Sequence, residues 1–438
     1  MKRFPIAIVP LLVAACAGPS GAHKKDVNQH MASQNYAEAV ASIDKAADDE
    51  YGKSSQVLYY LDKGAVLHFA GRYAESELAL DKAEARVEEL YTKSATQAVG
   101  QFLVNDNTVE YRGEPYEKIL LHILRSLNSL LLNKPDEAAV EARKLSAFLA
   151  RLNDANPKGV PTSDKGDLLA RVLARLVYED AGQKEDVAVA AKLVNSAASQ
   201  VSQGKVKSEL DPKVFAVPMG KDEGELILVH YNGPAARIDS VKAQINWGEV
   251  AAAVKKIGNP ALTEQVKKAE KAGLVPKTVV YALPKFVQEP YRIVGSKIVV
   301  NGKEYRTVMA ENISSIASTV LTEKADAIQT RAIVRATTKA IAAKQAEKAA
   351  KDEWGKDSGA LVGLGLGIAA AQTEVADTRI WNTIAAEIRL GHVHLPAGKY
   401  QVKLVSFDKA GNTVVEQSFP DVVVTRGKRS YLQTRTVL

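Results

Sequence analysis

Apolar positions along the first half of the chain recur at three- and four-residue steps, the period of helices that bury one face. From about Lys24 to Gln203 the pattern comes in units. QNYAEA (34–39) is followed by Ile43 and Ala46, GRYAES (71–76) by Leu80 and Ala83, NKPDEA (133–138) by Ala142, and GQKEDV (182–187) by Ala191 and Val194. Tyr60, Gly64 and Leu67 precede the second unit at helical spacing. Each unit predicts a tight turn, then a helix whose small residues let a partner helix approach to about 8–10 Å. Ile119, Leu120, Ile123, Leu124, Leu127, Leu130 and Leu131 form a wide apolar stripe, which predicts a central core helix. Residues 168–177 predict another amphipathic helix. Residues 102–116 and 153–167 are polar and rich in turn formers, so they read as loops.

The period changes near Lys205. ELILVHY (225–231), KTVVYAL (277–283) and YRIVG (291–295) read as strands, and residues 297–306 as a hairpin on Asn301 and Gly302. An Ala/Lys-rich stretch within 240–275 reads as a helical insertion. Residues 312–354 hold neither Gly nor Pro and keep a helical period, which predicts one long helix or two. A glycine-rich apolar run follows at 359–371, and alternation over 388–438 predicts a sheet. The expected fold class is α+β. A helical array resembling tetratricopeptide repeats occupies 24–204, degenerate because its units lie more than about 34 residues apart. A mixed domain with strands and a long helix fills 205–387, and a β-sandwich-like antiparallel module fills 388–438. Stacked helix pairs make long grooves that bind proteins.

Composition changes this picture little. Apolar content of 46% and charged content of 25% are ordinary globular values, and 438 residues suffice for two to three domains. The formal charge of +7 is spread along the chain, so no nucleic-acid partner is expected.

The N-terminus matters more. Lys2 and Arg3 precede about a dozen apolar residues that end in VAAC (13–16). That run is shorter than the roughly 20 residues needed to span a bilayer. It reads as a secretory signal, residues 1–15, with a lipobox at Cys16, the single cysteine. Lipidation would consume a thiol that is otherwise a liability in an oxidising compartment. The alternative is an ordinary signal peptide cut after Ala15 or Ala17. On the lipobox reading, residues 16–23 form a lipidated tether that holds the chain to a membrane. Ala17, in place of an acidic residue, points to the outer membrane and its periplasmic face.

Further stretches resemble a known group. They are VND (104–106) with Tyr111 and GEPYE (113–117), VEAR (140–143), GELILVHYNG (224–233), TRAIVRATTK (330–339), and ADTRIW (376–381) running to LPAG (395–398). Together they resemble the uncharacterised bacterial lipoproteins with degenerate tetratricopeptide repeats. The resemblance covers nearly the whole mature chain. It implies envelope work, by association with lipoproteins that activate penicillin-binding proteins. Thr383 and the residues after it stand where that family usually shows a proline.

Candidate chemistry is sparse. Arg331, Arg335 and Lys339 repeat at four-residue spacing, a basic stripe that is either solvated or turned toward an acidic partner, a glycan or a lipid headgroup. Asp377, Arg379 and Trp381 stand where helix gives way to sheet. They line a binding cleft, or else pair, cap and pack. His392 and His394 alternate on a strand, but zinc needs a third ligand and none has fitting spacing nearby, so no metal is expected. GLGLG (363–367) lacks the preceding strand and the later acid of a dinucleotide loop, and suits a loop or close helix packing. GKDS (355–358) lacks the first glycine of a P-loop, and Ser358 has no GxSxG context. No catalytic residue and no cofactor is expected. The chain reads as an envelope scaffold with a protein partner. The alternatives are a regulator of peptidoglycan synthesis and an envelope hydrolase, which needs paired carboxylates converging in a cleft.

Overall fold

Helical hairpins come first in the computed structural model, which describes residues 18–97, 109–155, 168–202, 208–258 and 260–438. The signal run 1–15, Cys16, and parts of the loops expected at 102–116 and 153–167 lie outside the described residues. Helices α1 (Gly21–Ala32) and α2 (Tyr36–Lys45), α3 (Gln56–Phe69) and α4 (Tyr73–Gln97), α5 (Pro115–Leu131) and α6 (Pro135–Ala155), and α7 (Leu168–Asp180) and α8 (Lys184–Ser202) form successive pairs. All four pairs turn in the same way. Gln34, Gly71, Asn133 and Gly182 take left-handed φ values of 58°, 75°, 58° and 69°. The next N–H in each case returns to the carbonyl five residues back, as in Arg72 to Leu67 at 2.9 Å and Lys134 to Ser129 at 2.8 Å. That bond satisfies a carbonyl which the ending helix leaves open. These are the turns of the four sequence units.

The rest of the chain makes two four-stranded sheets and a ribbon. The first sheet runs β10 (Arg429–Thr436), β1 (Glu223–Pro234), β7 (Ala385–Pro396), β6 (Val308–Glu311). The second runs β5 (Lys303–Arg306), β4 (Gly295–Val300), β8 (Gly398–Phe407), β9 (Thr413–Val424). Strands β2 (Arg237–Asn246) and β3 (Thr278–Val287) form the ribbon. Strand β1 explains the layering. Leu226 and Leu228 face the second sheet with Ile298, Val393 and Leu404. Ile227, Val229 and Tyr231 face the other way, into one core with the helices. A strand buried on both faces is apolar at nearly every position, as ELILVHY is. The molecule is therefore three layers: helices, first sheet, second sheet. A void of about 20 Å³ at the seam between α5, α7 and the first sheet has room for one water, so this seam is closely packed.

A satellite lobe completes the fold. Helices α9 (Trp247–Ile257) and α10 (Pro260–Lys271) join β2 to β3. Val250, Leu262 and Val279 pack there against Ile333, Ala336 and Ile341 of the long helix α12 (Ala325–Trp354). Helix α11 (Ile313–Glu323) precedes α12, with the break at Lys324. Helix α13 (Lys356–Gln372) returns along α12, and GLGLG lies within it, with Gly363 backed onto Glu347.

The α+β class holds, and three boundaries need correction. Residues 388–438 are no separate module, and not all of their pairing is antiparallel. Strand β10 lies parallel to β1, Glu225 facing Arg429, and β7 lies antiparallel to β1, so sequence-distant strands interleave. The insertion at 240–275 is helical only from Trp247, because its first residues extend β2. The tether's described residues 18–23 are docked, not loose. Ser20 donates its N–H and hydroxyl to Glu50, and α1 starts at Gly21.

Candidate functional site

Residues 373–384 leave α13 and run as a strap to β7, and nearly every polar group on it is tied to another element. Glu374 is buried and takes Arg335 Nε at 3.2 Å and Lys339 Nζ at 2.6 Å. The Ala376 N–H donates to Ser240 on β2. Arg379 holds Asp377 through Nε and Nη2 at 2.8 and 2.7 Å, and its Nη1 donates to the carbonyls of Ser54 and Val109. Its guanidinium also lies 5.4 Å from the Tyr111 ring centre. Trp381 is fully buried, and its N–H donates to Glu117 Oε1 at 2.8 Å. The Thr383 N–H and hydroxyl both donate to Asp62 Oδ1.

Asp62 and Glu117 are thus sockets for the strap. Asp62 sits on the core face of α3 and also accepts from Tyr51. Glu117, in the first turn of α5, also accepts from Tyr111 and from the Glu114 N–H, which closes a capping box. Burial raises the Asp62 carboxyl to about 6 and the Glu117 carboxyl to about 7, against hydrogen bonds that pull both down. Burial likewise lowers Lys24, whose Nζ donates to the Thr378 carbonyl. One oxygen of each acid holds the strap, and the other is taken by Tyr51 on Asp62 and by Tyr111 and the Glu114 N–H on Glu117.

Beside the strap lies a cleft of about 730 Å³. Its walls are the 109–114 loop, the ribbon at Ile238 and Pro284, the α11–α12 junction, and Ala376, Asp377 and Arg379. Apolar floor and charged rim alternate. Leu321 and Ile328 stand beside Lys324, which pairs with Glu114, and beside exposed Arg331.

Among the sequence candidates, Arg331, Asp377 and Arg379 meet at this cleft. The other two members of the basic stripe do not. Arg335 is buried and pairs with Glu374, and Lys339 pairs with the same carboxylate, so the stripe is neither solvated nor one binding face. Trp381 packs inside the core rather than lining the cleft. Glu374, Asp62 and Glu117 escaped the sequence. Asp62 did leave one signal, an acid set between Leu58, Leu61 and Ala65 on an apolar helix face.

His392 and His394 are partly buried. A carboxylate does lie beside them: Glu225, directly opposite His394 in the β1–β7 register. Its distance in sequence hid it.

No family model, curated protein or solved structure matches the chain.

Proposed function

We propose that this chain is a lipid-anchored scaffold on the periplasmic face of the bacterial outer membrane, and that it captures a protein partner in the cleft beside the strap. The observation that carries this choice of surface is the docking of the first sheet on the helices. A repeat array ordinarily offers the inner face of its stacked helices. Here α3 and α5 meet β10, and α7 meets β6, so the chain's own sheet covers that face. The cleft, at about 730 Å³, remains free to take an extended segment. Its apolar floor suits anchoring side chains, and Arg331 on its rim suits an acidic one.

Proximity labelling in the native envelope tests the proposal. Arg331→Glu sits on an exposed helix position and leaves the Arg335–Glu374 pair intact. Reversing a charge that contributes about 1.5–3 kcal/mol to a contact weakens capture roughly tenfold to a hundredfold. The expected result is loss of a defined subset of neighbours. An unchanged neighbour set from a folded variant contradicts the proposal. The anchor is tested separately. Cys16→Ser should abolish lipid labelling and release the protein from membranes, since two or three acyl chains hold it at about 0.8 kcal/mol per buried CH₂. Full membrane retention of that variant contradicts the anchor alone.

A further inference from the structure

We propose that Glu225, His392 and His394 form a binding site for a first-row divalent transition-metal ion, with zinc as its natural fit. The three side chains share one face of the first sheet. Glu225 on β1 is directly opposite His394 on β7, and His392 is two residues further along the same face. Their ligand atoms all lie within 4.8 Å of one another. Around a tetrahedral ion at 2.0–2.1 Å, ligand atoms sit about 3.3 Å apart, so small side-chain rotations complete the set.

What singles out the cluster is the state of its lone pairs. Glu225 Oε1, His392 Nε2 and His394 Nε2 are all shielded from water, and none is paired with a group outside the cluster. Glu225 Oε1 and His392 Nε2 pair with each other at 2.7 Å, and His394 Nε2 beside them is left with no partner. One orphaned nitrogen beside a pair that meets only itself is a costly buried arrangement, and a cation joining all three atoms would relieve it.

The surroundings support a cation. Arg429 Nε holds the other carboxylate oxygen, Glu225 Oε2, at 2.6 Å and so orients Oε1 inward. Glu179 and Asp180 flank Arg429, and Arg175 pairs with Glu179. Three carboxylates against two guanidiniums leave the neighbourhood negative when both imidazoles are neutral. Phe215 stacks edge-on against His392, with ring centres 5.0 Å apart, and steadies that ring. Two imidazole nitrogens and one carboxylate oxygen suit zinc and its first-row neighbours. Calcium and magnesium prefer oxygen alone.

A second group, Glu84, His122 and Glu141, is equally close-set but differs in its lone pairs. Arg125 and Lys144 already neutralise its carboxylates, and its ligand atoms are not orphaned. It therefore serves as an internal contrast. At the proposed site an ion would rivet β1 to β7 next to the helix–sheet seam. Three protein ligands leave one position for water.

The test is zinc titration of the chelator-treated mature protein by calorimetry, with magnesium as the control ion and thermal melting in parallel. The expected result is one zinc per chain, no magnesium binding, and a zinc-dependent rise in melting temperature. Replacing an outer-shell residue of a metal site costs about 10–100-fold in affinity, so loss of a direct ligand in His394→Gln should cost at least about 100-fold. Glu225→Gln should do the same and also abolish the melting shift. Should Glu225→Gln fail to fold, His394→Gln decides alone, because His394 is only partly buried. Absence of saturable zinc binding overturns the proposal. So does zinc binding that survives His394→Gln undiminished, which would place the ion on other histidines.

Discussion

Asp62 carries the sharpest residue-scale consequence. Burial raises its carboxyl from an ordinary 3.8 to about 6. Between those values the folded chain holds a proton that the unfolded chain has released. Stability from this group is therefore present below about pH 4 and declines as pH rises to about 6, by about 3 kcal/mol in all. Asp62→Asn keeps an acceptor for Thr383 and presents a donor to Tyr51, without a titrating group. Melting curves from pH 4 to pH 7 should fall more steeply for the wild type than for the variant, and parallel curves would contradict the assignment. Arg379 is the second test. Arg379→Ala strands the carbonyls of Ser54 and Val109 in a buried place, at a cost of about 2–4 kcal/mol, whereas Arg379→Lys should recover part of it. Chemical denaturation measures both. At this scale the sequence exposed the pairing of Asp377 with Arg379, two positions apart. It hid Glu374, because an acid 35 and 39 residues from Lys339 and Arg335 shows no pattern until α13 folds back along α12. The carboxylate beside His392 and His394 was hidden for the same reason, since Glu225 joins them only through strand register.

Elements were legible where their chemistry is local. Each of the four hairpin turns needs a left-handed residue, and Gln34, Gly71, Asn133 and Gly182 stand at the turn that begins each repeated unit. The Asn301–Gly302 hairpin was legible on the same ground, with φ of 51° and 72°. Helix crossings followed from small residues. A Cβ on Gly64 would come within 2.6 Å of Leu80, across the α3–α4 contact. Gly64→Ala should overpack that contact and cost about 1–3 kcal/mol, read as a lower melting temperature. An unchanged midpoint would mean that the two helices separate freely. Strand order was not legible. Period-two alternation marks a strand without naming its neighbour, so nothing local in β10 says that it joins β1, some 200 residues earlier, in parallel.

For the whole molecule, the helices, the interleaved sheets and the strap form one connected structure. The first sheet shares its core with the helices, and the strap's buried acids and Arg379 stitch the remaining seam. This arrangement closes the inner face of the helical array and leaves the cleft at Arg331 as the place where we propose a partner enters. The direct measurement is photo-crosslinking in the native cell. A photoreactive amino acid is placed at position 331, on the cleft rim, or at position 189, an exposed site on α8. A specific protein adduct from position 331 and none from position 189 is the predicted result. An adduct from position 189 with none from position 331 would move the partner to the outer helices and contradict the account.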